Sequence, residues 1–562
     1  MLKKTLSTNK FVLSAALFLL ALALRIIGLN WGLPTQTHWY SYHPDEAQML
    51  SAIVSLDFFT GDFNPNFFNY PSLYIYLAAF AHLVASGLGM ARPIAADPTQ
   101  TWMFTHDVLL CARVVTALLG AATVPLVFLI ARQIGGWKTG VLAALLLALA
   151  PGHIQHSHFA TVDVPATFFI TLCLWLTTRA LAENAEQKWI TKQLLWAAFV
   201  AGLATATKYN AILVLVAPLA ACFFLSRRKL VSLAIAPAIV GIAIIAFLIG
   251  CPFSILDFST FWGNRENSGV AYELLVHPRR GHGDVFTNTG NGWIYHLTFN
   301  APFLLTIPVL LAALFGIGST LRARKTIHCT AIVSLVWCGF YFLALGFSQV
   351  RFLRYLIPLA PALCVFAACG VLVLQRFGST IKCAAGVLLL VVAAWGTRDV
   401  LYDFISDDPR NQAAQWMASN ANTSGTSTPA TVGMIGAPWY YSPPLSPVDS
   451  PPYRRLSESQ LSQFSGGKYT FVFTGIDAAK LQIIKTEDRI PLPQWFILSD
   501  FEWREKARLQ DAEYQKFRAA LEQEYSLAQR FKNAPPLALP GREFAPHDFL
   551  YTNPEIRIYK RK

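Results

Sequence analysis

Apolar runs of membrane-crossing length recur through the first 400 residues, and nothing constrains the fold of this chain more. A helix needs about 20 mostly apolar residues to cross the hydrocarbon layer. Such runs lie at roughly 11–30, 109–131, 138–156, 163–182, 190–207, 209–226, 230–250, 302–321, 327–346, 353–375 and 381–397. They predict about eleven spanning helices. With 54% hydrophobic and only 14% charged residues, the chain reads as a polytopic membrane protein and not as a soluble core. Residues 71–90 are apolar but rich in aromatic and small residues, and predict a helix lying along the interface. The first 25 residues have the basic start, apolar run and Ala21–Ala23 pattern of a signal peptide. The many spans that follow favour an uncleaved first helix.

The charges sort these spans. Lys3, Lys4 and Lys10 precede the first. Arg132 and Lys138, then Arg179, Lys188 and Lys192, then Arg227–Lys229, then residues 322–325, then Arg376 and Lys382 separate later pairs. With eleven spans all these basic loops fall on one side, which the positive-inside rule makes cytoplasmic. The expected location is a prokaryotic inner or plasma membrane, with the opposite loops, 31–108 and 251–301, outside. A net charge of +13 spread over short loops makes no nucleic-acid patch. The nine cysteines lie mostly inside apolar runs with no metal-binding spacing, and read as small buried hydrophobes.

Residues 401–562 are polar, proline-studded and cysteine-free. Runs at 430–436, 468–475, 494–500 and 555–560 predict strands, and 411–420 and 511–531 predict helices. Residues 420–429, "NANTSGTSTP", predict a loop. The division is a transmembrane domain over 1–400 and a small extracytoplasmic α/β domain over 401–562. That domain has no Gly-rich nucleotide loop.

Chemistry gathers on the outer face. "HPDEAQ" places Asp45 and Glu46 at a helix start in the first outer loop, and "SHFATVDVPATFF" brings Asp163 to the same face from another helix. Carboxylates in a first helical turn also serve as caps. Ionisable groups at the boundary of an apolar bundle point instead to acid–base work or metal binding. Lys208, Arg351 and Arg354 stand at outer helix ends, where snorkelling toward the headgroups is the bland alternative. "HPRRGHGD" adds His277, Arg279, Arg280 and His282 on a glycine-flanked loop able to close over substrate.

Several stretches resemble one family in order and spacing. "RIIGLNWGLP…HPDEAQ", "NYPSLYIYLAAF", "SHFATVDVPATFF", "GLATATKYNAILVL" and "RYLIPLAPAL" are together similar to the GT-C membrane glycosyltransferases, in particular the dolichyl-phosphate-mannose protein mannosyltransferase and lipid A aminoarabinose transferase group. The resemblance covers most of residues 11–400. It implies a polyprenyl-phosphate sugar donor, and an acceptor that is a protein, a lipid or a polysaccharide. It also implies Asp45 as general base, supported by Asp163, with Glu46 beside them. Lys208, Arg354, Tyr355 and Arg351 would bind the donor phosphate, and a divalent metal ion at Asp45 and Asp163 is a further expectation. One departure stands out: where aminoarabinose transferases carry an acidic–basic pair before the Pro-Leu segment, this chain has Asn69 and Tyr70. Two rivals remain: a ligase or polymerase of preassembled glycans, and a transporter using Asp45, Asp163 and Lys208 as an ion relay.

Overall fold

The computed structural model describes residues 2–92, 101–181, 187–225, 229–322, 328–421, 429–445, 469–478 and 492–562. Arg227, Arg228, residues 323–325 of the fourth basic loop and most of the 420–429 loop lie outside these residues.

Helices occupy the apolar runs. They include α1 (Leu2–Ile26), α2 (Glu46–Val54), α3 (Leu73–Gly87), α4 (Thr101–Ala148), α5 (Pro151–His156), α6 (Asp163–Ala180), α7 (Gln187–Thr205), α8 (Val216–Leu225) and α9 (Lys229–Gly250). Four described helices are long and apolar enough to cross a membrane: α4, Cys329–Gly346, Leu353–Phe377 and Ser379–Asn420. A fifth is added if Gly292–Leu305 and Ile307–Arg322, bent by 117°, form one broken span. Other expected spans are shorter apolar helices, such as Phe11–Ile26 and Ile235–Gly250. The 15 residues of α3 fall short of a span.

Local chemistry sets the breaks. The expected spans 109–131 and 138–156 meet inside α4 at Gly135 and Gly136, where Gly136 takes φ 79° and ψ −175°, a conformation open in practice only to glycine. The break falls beside Arg132 and Lys138, where the charges predict a loop. The 117° bend follows Thr306, which sits at φ 77°.

The bundle is packed on small residues. Ala143, Ala144, Ala201 and Ala204 belong to one core with Val124, Phe128, Ile170, Leu304 and Trp337. Close approach of helix backbones is the usual device where lipid supplies no hydrophobic drive between helices.

The boundary expected at residue 401 falls inside the helix Ser379–Ile405, and beyond it the described residues include a five-stranded mixed sheet, ordered β2-β1-β3-β5-β4. The strands are β1 (Ala430–Met434), β2 (Tyr469–Phe473), β3 (Trp495–Ser499), β4 (Tyr525–Phe531) and β5 (Ile556–Arg561). The first three pair in parallel, and β5 pairs antiparallel with β3 and β4. One expectation is corrected here. The predicted helix 511–531 ends at Glu524, and "YSLAQRF" is the edge strand β4. Its Leu, Ala, Gln and Arg favour helix locally, but pairing with β5 prevails.

The two parts meet through Arg410. Its guanidinium binds both Asp408 oxygens and the carbonyls of Tyr440 and Tyr551, and lies 3.8 Å from the Tyr42 ring centroid. Asp408 in turn accepts the Trp31 indole N–H at 3.1 Å. The C-terminal unit is thereby fastened onto the loop that carries Asp45.

Candidate active site

Two buried ion pairs from distant parts of the chain define the site. Arg354 donates to Asp45 at 2.5 Å, and Lys208 donates to Asp163 at 2.5 Å. Asp45 precedes α2 at its N-cap position, yet its side chain makes no cap hydrogen bond. Asp163 opens α6 and likewise spends its carboxylate on a cation. Both carboxylates therefore decline the capping role that their position in the sequence offers. Lys208 is an extended residue, φ −151° and ψ 127°, between α7 and the 3-10 helix Tyr209–Leu215. That break turns its ammonium inward, 4.6 Å from the Tyr355 ring centroid. Arg354 lies over Phe352 at 4.4 Å. Neither cation snorkels: both residues are buried.

Arg354 and Tyr355 belong to a second 3-10 helix, Leu353–Leu359. A helix start leaves backbone N–H groups without partners. Here Asp548, from the C-terminal unit, accepts both, from Leu353 N at 3.1 Å and Arg354 N at 3.0 Å. Its carboxylate also stands 3.7 Å from His156 Nε2, and both side chains are fully buried. The C-terminal unit thus holds the backbone of the arginine that grips Asp45. Sequence reasoning missed Asp548, since nothing near "PHDFL" marks it as a partner of a residue 194 positions away.

Beside the pairs lies a cavity of about 180 Å³. Its polar lining includes Asn69, Tyr70, Lys208, Glu273, His277 and Tyr355, and its apolar lining includes Leu213, Leu274, Ala344 and Leu345. Tyr70 feels the charges of Asp45, Arg354 and Glu273 together. Burial first, then those carboxylates, raise its pKa well above the ordinary value.

Other expected site residues fall elsewhere. Glu46 is corrected: it is fully buried, and its two oxygens accept four donors, Arg113 Nε at 2.8 Å, Arg113 Nη2 at 2.7 Å, Ala160 N at 2.7 Å and the Ser41 hydroxyl. Arg113 spends its third nitrogen on the carbonyls of Leu29 and Trp31. Burial alone would raise the Glu46 pKa; the Arg113 charge and its hydrogen bonds bring it below the usual value. Glu46 has no lone pair left for a substrate and serves as a clasp between the first outer loop and α4. Arg351 is also corrected. It is tied to Thr289 Oγ1 at 2.7 Å and the Gly290 carbonyl at 2.8 Å, and so secures a loop instead of lining the cavity. From "HPRRGHGD" only His277 and Pro278 line the cavity, while Arg279, Arg280 and His282 are exposed.

The residues do not fit a metal ion. Asp45 and Asp163 each face a cation already, and among the described residues no three His, Cys, Asp or Glu side chains converge. An ammonium and a guanidinium supply the positive charge that a divalent ion would bring, so no step runs through one.

A helical bundle with broken helices and a docked C-terminal unit is similar in fold to several solved structures. The archaeal oligosaccharyltransferase AglB from Archaeoglobus fulgidus, in complex with an inhibitory peptide and a dolichol-phosphate, superposes with a TM-score of 0.52 at 14% identity, over 94% of this chain and 73% of that one. ArnT from Cupriavidus metallidurans in the apo state gives 0.51 at 13% identity, over 98% of both chains. Such identities speak for the fold alone. Residues 101–254 match the family described as dolichyl-phosphate-mannose-protein mannosyltransferase, which agrees with the resemblance read from the motifs. A curated relative, an uncharacterized protein of Aquifex aeolicus (strain VF5), is 29% identical over 266 residues, 45% of this chain and 47% of that protein. The match thus spans about half the length of this relative. The chain is an integral membrane protein, with apolar helices long enough to cross a membrane and a fold similar to these solved membrane proteins.

Proposed function

We propose that this protein transfers one sugar from a polyprenyl-phosphate donor to an acceptor at the outer face of the membrane. The observation that carries the reading is the pair of carboxylate–cation bridges, Asp45–Arg354 and Asp163–Lys208, the second of which brings Lys208 into a cavity lined by both polar and apolar side chains. A lipid-linked donor needs just such a boundary: cations for its phosphate and apolar surface for its chain. AglB of similar fold is described with a dolichol-phosphate, a ligand of the same class.

In this reading the donor phosphate is drawn to Lys208 and Arg354. It competes with Asp45 for the Arg354 guanidinium and leaves that carboxylate free to accept a proton. The acceptor hydroxyl oxygen attacks the anomeric carbon from the face opposite the phosphate. The bond from that carbon to the phosphate oxygen breaks, and its electron pair leaves with the phosphate. The hydroxyl proton passes to Asp45, the general base. Lys208 and Arg354 stabilise the charge growing on the leaving oxygen, and Asp163 holds Lys208 in place. Inversion at the anomeric carbon follows. The eleven spans predicted from the apolar runs, with their basic loops on one side, support a site and a C-terminal unit outside the cytoplasm.

A cavity of about 180 Å³ is near the size of one that holds a single benzene-sized ring, about 150 Å³. That favours a monosaccharide over a preassembled glycan. Purified protein in lipid nanodiscs, supplied with polyprenyl-phosphate monosaccharides and candidate acceptors, should yield a product heavier by one sugar in mass spectrometry. Transfer of whole oligosaccharides alone, or of nothing, would reject the reading.

A further inference from the structure

The mechanism leaves one charged side chain of the cavity unused. Glu273 comes from the 251–301 loop, which the motifs do not cover, and lines the same cavity as Lys208 and Tyr355. Its Oε1 accepts from Asn69 Nδ2 at 3.2 Å, and its Oε2 faces His277 Nδ1 at 3.2 Å. Asn69 is itself fixed, because its Oδ1 accepts from Gly269 N at 3.0 Å and its Nδ2 also donates to the Asn267 carbonyl at 3.1 Å. The carboxylate is thus held from two sides, by the segment before α3 and by one turn of its own helix.

A carboxylate held in this way cannot face the donor phosphate, since like charges repel in a partly buried site. Lys208 marks the phosphate end, and Glu273 is the one acidic side chain among the described residues that line the same cavity. Each Glu273 oxygen uses one of its two acceptor positions on Asn69 or His277, and among the described residues no ammonium or guanidinium bridges it. Two acceptor positions on adjacent oxygens match two neighbouring hydroxyl groups of a pyranose ring.

We propose that Glu273, held by Asn69 and His277, is the specificity-determining residue that binds hydroxyl groups of the donor's sugar. It selects a monosaccharide that presents neighbouring hydroxyl groups to this carboxylate. This deepens the donor reading above and rests on it. It also gives Asn69 a purpose: an amide places a carboxylate that a second charged residue at that position would repel or neutralise.

The test is binding to full-length protein in nanodiscs, with undecaprenyl phosphate bearing glucose, mannose, galactose or no sugar. The wild type is expected to bind at least one sugar-bearing lipid more tightly than the bare lipid. Glu273→Gln keeps the size and should lose about 10-fold or more on that lipid while changing the bare lipid less than about 2-fold. Glu273→Asp, one methylene shorter, should alter the ranking among the three sugars. Lys208→Ala should weaken all four lipids alike. If Glu273→Gln weakens bare and sugar-bearing lipids equally, or neither, the proposal is overturned. A wild type that ranks the sugars no differently from the bare lipid overturns it as well, while the donor reading stands. A wild type that binds none of the four lipids overturns both.

Discussion

Asp45 and Glu46 are neighbours in sequence with opposite expected phenotypes. Glu46 accepts four donors with two oxygens. In Glu46→Gln only one oxygen remains, so at least two donors, one of them on the Arg113 guanidinium, would face an amide NH2. Each unmet buried donor costs about 1–3 kcal/mol. Breaking a buried pair from one side costs about 3–5 kcal/mol. Against a typical total of about 5–15 kcal/mol, that is a large share of the stability. Asp45 is different: its side chain is 22% exposed, caps nothing, and bonds only Arg354 among the described residues. Asp45→Asn keeps one oxygen to accept from Arg354 but removes the charge that balances its buried guanidinium, so it should melt below the wild type by no more than Glu46→Gln does, and transfer sugar at least about 100-fold more slowly through loss of the base. Thermal unfolding in detergent, followed by fluorescence, and transfer rates in nanodiscs separate the two. Should Glu46→Gln melt normally while losing transfer, or Asp45→Asn transfer at the normal rate, the division of labour between these carboxylates is wrong.

Lys208→Ala and Arg354→Ala each remove a charged donor to phosphate and should cut donor use by about 10- to 100-fold; unchanged kinetics in nanodiscs would point to a structural role for these cations. Asp548→Ala should reduce transfer by about 10-fold or more, because the N–H groups of Leu353 and Arg354 lose their acceptor; full activity would show that the C-terminal unit does not hold the site. In that unit, burial pushes Asp500 up to about 6 from the ordinary 3.8. The folded state then keeps a proton that the unfolded chain loses between about pH 4 and 6, so stability falls as pH rises through that window. Asp500→Asn should accordingly melt above the wild type at pH 7, by a margin that closes near pH 4, and equal melting at both would refute the shift. Reporter fusions after residue 400 should read as extracytoplasmic, and a cytoplasmic signal would overturn the eleven-span count.

Hydropathy and charge determined the class of this protein before any coordinates. Whether a segment prefers lipid is a sum over its own residues, so the helices at the apolar runs and the α/β character of 401–562 were legible directly. Asp45, Asp163, Lys208 and Arg354 stood out as candidates because charged groups at the ends of apolar helices are costly and so mark themselves, and Tyr355 through the family resemblance of its motif. What the sequence did not hold was pairing. Arg354 is 309 residues from Asp45, and Asp548 is 194 from the amide it caps. Hydrogen-bond partners follow from where backbones cross in three dimensions, to which local periodicity is blind. For the same reason Glu46 looked equivalent to Asp45. Adjacent residues at a helix start point about 100° apart, and only the tertiary packing decided that one would meet Arg113 in the interior and the other Arg354. Glu273 and His277 stood in plain view four residues apart, but an acid and a histidine at helical spacing are ordinary on any surface. The fold gave them meaning by laying their loop against Asn69, over the cavity that Lys208 enters from the other side.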